Sequence, residues 1–296
     1  MLGERWSPNR PSSASALIFW ASAGSSDESR RDDTMNARGP HDAPPDVVRV
    51  VALGASNLTR GFQTVIATAR AAWGPDVEML AALGHGRSYG AQSRLILRTL
   101  PGILQSGLWR KLETLPVAPT RGLITDVGND ILYGFSAQQI LDWVEEALGR
   151  LQSFTQDIVL TDLPLASIRR LSRAKFLAFR SILVPSCRLP FDQVVERAEQ
   201  VNAGLAALAA ARGVRFLHLN PDWYGFDPIH IRAASWRSAW REILGSRVAA
   251  DGNRGSTIEA LRLYLMPPER QWLLGVERFS PQSGKALSSG SRVWLY

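Results

Sequence analysis

The sequence holds a single cysteine, Cys187, so no disulfide can form within the chain and no cysteine-based zinc site can be built. That usage fits a reducing compartment, and the chain is read as cytoplasmic. Long hydrophobic runs are missing too: no segment has enough consecutive apolar residues to span a bilayer. A short apolar piece, Ala14 to Ala23, follows Arg5 and Arg10 in the manner of a signal peptide, but it is brief, broken by serine and late in starting. Met35, further on, offers a second start site. No repeat of solenoid type occurs. Positive charge is in excess, +7 and carried mostly by arginine. The arginines are scattered. Their densest group, Arg169, Arg170 and Arg173, reads as a solvated helix face rather than a nucleic-acid patch. With 296 residues, 45% of them apolar, the chain suffices for one sizeable α/β domain with extensions.

Residues 1–46 are rich in Ser, Asp, Arg, Gly and Pro, show no helical or strand period, and read as a disordered leader. Residues 47–247 then form the main domain. Val47 to Ala55 is a continuous apolar run rich in valine, the pattern of a strand buried on both faces. It breaks at Gly54 and runs into a helical pattern, Leu58 to Trp73, with Phe62, Val65, Ile66 and Ala69 on one face. Val77 to Leu83 is a second strand, followed by a helix through Leu95, Ile96 and Leu100 and a short helix in Ile103 to Leu115. Arg121 to Val127 is the third strand, followed by a helix, Ala137 to Phe154, capped by Ser136. Asp157 to Leu163 is the fourth, with helical stretches Ile168 to Leu183 and Phe191 to Arg212 behind it. Val214 to Leu219 is the fifth, and Arg232 to Leu244 the closing helix. Five strand–helix repeats over roughly 200 residues call for a three-layer α/β/α sandwich on a five-stranded parallel sheet, flavodoxin-like, with right-handed crossovers. Residues 248–296 form an extension. After a linker, Asp251 to Ser256, the pieces Ile258 to Met266, Gln271 to Phe279 and Arg292 to Tyr296 read as a small β appendage.

Four loops at strand ends carry groups useful to acyl transfer. Ser56 sits where the first strand turns into a helix, at the sheet edge where open α/β folds bind ligands, and at a helix N-terminus that favours negative charge. In the loop Gly84 to Gly90, Gly86 lets a backbone N–H approach a substrate closely. Asn129, in Gly128-Asn129-Asp130, offers a side-chain donor. The loop after the fifth strand holds Asp227-Pro228-Ile229-His230. A neutral serine needs a base such as His230 within reach, and that base needs a partner such as Asp227 to hold its tautomer. Each piece also has a plain reading. Ser56 is then an N-cap, Asn129 and Asp130 an Asx turn, and His230 a structural histidine. His85 either faces the substrate or lies in solvent. His218 is structural, inside the fifth strand. Trp223, Tyr224 and Phe226 pack under their loop, and Asp126 caps a strand end.

In this order the four stretches resemble the SGNH hydrolases, the GDSL-type lipase/esterase superfamily, across Val48 to about Gly245. The matching blocks are Gly54 to Gly61, the glycine Gly86 with Gly84 as alternative, Val127 to Asp130, and Asp227 to His230. The resemblance implies a serine esterase acting on a small-molecule carboxylic ester. Ser56 would be the nucleophile, His230 the base and Asp227 its partner. The oxyanion hole would comprise the amides of Ser56 and Gly86 and the side chain of Asn129. No metal and no organic cofactor are implied. The departure is Ala55, where the family has an aspartate that braces the nucleophile turn, and its loss questions rigidity and rate. A competing reading keeps the same fold as a non-catalytic binding module that holds an anionic small molecule at its glycine-rich loops. A third binds a flavin on the same sheet.

Overall fold

A strand with no polar face must be covered on both sides, and β1 (Val48–Leu53) is covered on both. Val50 and Ala52 pack into one helical layer, Val51 and Leu53 into the other. The computed structural model describes residues 47–183, 187–247 and 257–296, all within one unit. The leader, with its apolar piece and Met35, and the linker Asp251 to Ser256 lie outside the described residues.

From β1 the chain enters α1 (Ser56–Trp73), β2 (Val77–Ala82), and the short strands β3 (Ser93–Leu95) and β4 (Arg98–Leu100). Then come α2 (Leu108–Thr114), β5 (Thr120–Ile124), α3 (Asn129–Leu132), α4 (Ala137–Gln152) and β6 (Ile158–Thr161). These are followed by α5 (Leu165–Arg169), α6 (Arg173–Leu183), α7 (Phe191–Arg212), β7 (Arg215–Leu217) and α8 (Trp236–Leu244). The remainder is α9 (Thr257–Tyr264), the hairpin β8 (Arg270–Leu273) and β9 (Val276–Phe279), and the pair β10 (Lys285–Ala286) and β11 (Arg292–Leu295). The five expected strands lie side by side as β2-β1-β5-β6-β7, all parallel. Numbered along the chain, this is the doubly wound order 2-1-3-4-5, which reverses between β1 and β5 and opens a crevice at the strands' carboxyl ends. One face carries α2, α3, α4 and α7, the other α1 and α8, as a three-layer sandwich requires.

The sheet has seven strands rather than five. The last strand, β11, pairs in parallel with β2, and β10 pairs antiparallel outside it. Val293 and Leu295 join one core layer and Trp294 the other, so the tail is built into the main sheet as well as appended to it. Its hairpin β8–β9 does form a small separate sheet, with β4 and β3. Two local expectations fail. Residues around Leu95 to Leu100 form that β3–β4 hairpin and not a helix, because β4 finds a partner in β8, far along the chain. Ile258 to Met266 is not a strand; most of it is α9, a segment whose Glu259, Ala260 and Leu261 are good helix formers. Among the described residues no helix is long and apolar enough to cross a membrane.

The packing of α1 on α8 sets where Ser56 sits, and it depends on a glycine. A Cβ at Gly61 would overlap the fully buried indole of Trp240. Gly61→Val is expected to lower stability by about 3 kcal/mol through overpacking. Urea unfolding measures it, and an unchanged midpoint would place the indole elsewhere.

Candidate active site

The first turn of α1 has free amides and no cap of its own, because the N-cap residue is Ala55. The cap comes from a distant residue. One carboxylate oxygen of Asp126 accepts from the amides of Ala55 at 3.0 Å, Asn57 at 2.9 Å and Leu58 at 3.1 Å. Its other oxygen accepts from Asn57 Nδ2 at 2.8 Å. Asp126 holds φ at +60°, the left-handed region, two residues beyond the end of β5. It therefore does not cap its own strand, as expected, but the helix next door. Ser56, in the middle of the bonded amides, donates its own N–H to none of the described residues.

Asn57 carries the bracing further. Its Nδ2 also donates to Ile229 O at 2.9 Å, and its Oδ1 accepts from Ile231 N at 2.8 Å. These two contacts flank His230. The loop is anchored on its other side by Trp223 and Tyr224, which are buried, while Phe226 is exposed under the Lys175 ammonium. So positioned, His230 Nε2 lies 2.9 Å from Ser56 Oγ and Nδ1 lies 2.6 Å from Asp227 Oδ2. The second Asp227 oxygen accepts from the amides of Ile229 and His230, both at 3.2 Å. Burial alone would push the Asp227 carboxyl up. The hydrogen bond and charge of His230, with those two amides, outweigh it and hold the carboxyl below its ordinary value. Deprotonated Asp227 favours the tautomer with its proton on Nδ1, leaving the Nε2 lone pair toward the serine. Ser56 and the His230 side chain are mostly buried.

Asn129 is the first residue of α3, and its side chain lines the same cleft as Ser56. Gly86 takes φ of +66°, and its carbonyl accepts from the Tyr133 hydroxyl at 2.5 Å. Burial, aided by Asp130, raises the Tyr133 phenol to about 12, so it remains a donor. The neighbouring Arg87 is fully buried and donates to the carbonyls of Leu83, Pro101 and Tyr296, which ties this loop to the end of β11. Tyr89 reaches from the loop to the ends of β1 and β5, its hydroxyl 2.7 Å from Thr125 O and 3.1 Å from Leu53 O. His218 lies just past β7 with a largely exposed side chain, and Nδ1 meets Asp162 Oδ2 at 2.9 Å. His85 lines a second pocket, which Gly84 of the same loop also borders.

The cleft beside Ser56 holds about 970 Å³ of empty space, part of it open to solvent. Its walls are overwhelmingly apolar, among them Ile131, Leu132, Leu163, Ile168, Phe176 and Val194. Among the described residues no cluster of His, Cys, Asp or Glu has the makings of a metal site. The sequence-predicted Ser56, Asp227 and His230 thus meet in one hydrogen-bonded line, with Asn129 on the adjoining wall. Sequence reasoning gave Asp126 the wrong part, a cap on its own strand end, and gave Asn57 none beyond its place in the first block. Asp126 stood next to a recognised block, and the alanine at 55 was the signal that a brace had to come from somewhere else.

Asp126→Ala would release three amides at once and is expected to cost about 2 kcal/mol of stability. Equal urea midpoints for variant and wild type would contradict that brace. Asp130 supplies a pH effect. Its carboxyl is fully buried, and burial raises it from 3.8 to about 6 against the opposing hydrogen bonds of Ser88 and the Tyr89 amide. Between those values the folded state binds the extra proton, so stability falls as pH rises from about 4 to about 6, by about 3 kcal/mol at most. Asp130→Asn, which stays neutral, should remove that slope. Parallel slopes for the two proteins would refute it.

No protein-family model matches the chain, and none of the curated proteins matches it. Solved structures do. One is a member of the lipolytic protein G-D-S-L family from Veillonella parvula, 13% identical with a TM-score of 0.42, over 67% of this chain and 97% of that one. Another is the psychrotrophic esterase EstA from Pseudoalteromonas sp., in a structure inhibited by monoethylphosphonate, 12% identical with a TM-score of 0.40, over 67% and 95%. TesA is 14% identical with a TM-score of 0.41, over 67% and 96%.

Proposed function

We propose that the chain is a divergent SGNH-type serine esterase that cleaves carboxylic esters. The observation that carries this reading is the line from Ser56 Oγ through the His230 ring to Asp227, at 2.9 and 2.6 Å. Its order is that of a nucleophile, a base and the group that orients the base. Ser56 Oγ attacks the ester carbonyl as its proton passes to His230 Nε2. The carbonyl oxygen, now negative, is met by the unengaged Ser56 amide, with Gly86 N–H and Asn129 Nδ2 as the other donors; each donor is worth about 3 kcal/mol in the transition state. The C–O bond to the alcohol breaks and the alcohol leaves with the His230 proton. Water then attacks the acyl-serine as its proton passes to His230, the C–O bond to Ser56 breaks, and His230 returns that proton to Oγ as the acid is released. The apolar cleft beside Ser56 and Asn129 suits the acyl chain.

Ser56→Ala and His230→Ala are each expected to lower kcat/KM for p-nitrophenyl butyrate by at least about 10³-fold with folding intact by circular dichroism. A fluorophosphonate probe should label the wild type and not Ser56→Ala. Wild-type turnover in both variants, or no labelling of the wild type, would overturn the assignment and return the fold to the non-catalytic binding reading.

A further inference from the structure

Resting on the esterase reading, we propose that the alcohol half of the substrate carries a negative charge, received by a second pocket built around Arg60, Arg98 and His85. This pocket lies between α1, the glycine loop, β4 and α9, and holds about 1370 Å³ of empty space, part of it open to solvent. It is more polar than the first cleft, though apolar side chains such as Phe62, Leu83 and Leu263 make up much of its wall. Two guanidinium groups and an imidazole line it together with the rings of Trp236 and Tyr264, and none of its described lining residues is a carboxylate.

Three observations assign it to the leaving group. Arg60 is one turn beyond Ser56 on α1, and its guanidinium lies 3.7 Å from Asp227 Oδ2. His85 is close enough to His230, Arg60 and Arg98 that, after burial, their charges are what disfavour its protonation. The pocket therefore begins beside the histidine that must hand its proton to the departing oxygen. Arg98 is the third. Its Nε is buried without a hydrogen-bond partner among the described residues, and burial lowers the affinity of its guanidinium for the proton. Arg98 lines the pocket and no carboxylate of the described residues pairs with it; a partly desolvated cation without a counter-charge favours an anion, and carboxylate and phosphate both match the guanidinium fork. The anion is a spectator in the reaction. It orients the alcohol so that the ester C–O bond breaks toward His230.

The test compares three butyryl esters: neutral 2-nitrophenyl butyrate, 3-butyryloxy-4-nitrobenzoate with a carboxylate on the leaving phenol, and 3-butyryloxyphenyl phosphate with a phosphate there. Wild-type kcat/KM should favour at least one anionic ester over the neutral one by about tenfold, and which of the two is favoured names the anion. Arg98→Gln should abolish that preference and Arg98→Lys retain most of it. Raising the salt from about 20 to about 500 mM should shrink it in the wild type, a measurement that needs no variant. Turnover of the neutral ester with no preference for either anionic one would overturn the proposal and leave the esterase standing. Calorimetric binding of phenyl phosphate, weakened about tenfold by Arg98→Gln, tests the pocket whether or not any ester is hydrolysed. Absence of phenyl phosphate binding would sink the pocket independently of the ester comparison.

Discussion

One carboxylate, that of Asp126, holds the candidate site in shape. A helix start exposes amides that nothing in the helix can satisfy, and its dipole adds positive potential there. Asp126 answers three of those amides with one oxygen and gives the other oxygen to Asn57. Asn57, held that way, grips the backbone on both sides of His230. Segments about 70 and about 170 residues apart along the chain are thereby fixed against one another at hydrogen-bond precision. The left-handed backbone at Asp126 costs on the order of 1 kcal/mol, which several charge-assisted hydrogen bonds exceed.

Ala55 marks a relocation of the brace and not its loss. The brace expected from residue 55 is delivered by residue 126, from the neighbouring strand end. The same arrangement leaves the Ser56 amide unengaged between its bonded neighbours, and an amide in that position is available to a developing oxyanion.

Around this frame the two pockets differ sharply. The cleft beside Ser56 is nearly all aliphatic and aromatic carbon, while the pocket beside His85 adds Arg60 and Arg98 to an apolar wall. The glycine loop is pinned by Arg87, Tyr89 and Tyr133, and Arg87 reaches the end of β11. The C-terminal strand therefore supports the site's second loop as well as extending the sheet.

The continuous apolar run of β1, the helix that follows it, the repeat of strand and helix, and the positions of Ser56, Asn129 and the Asp227–His230 pair were all legible in the chain, because periodicity and turn chemistry act over a few residues. Whether Leu95 to Leu100 coiled or paired depended on β8, about 170 residues on, and whether Arg292 to Leu295 stood apart or joined the sheet depended on β2, about 210 residues back. The parts of Asp126 and Asn57 were hidden for the same reason: a side chain's partner across space leaves no mark in its own neighbourhood. Sequence alone determined the layers and which polar groups stand at the strand ends; only the tertiary structure decided which distant amides, carbonyls and cations would surround them.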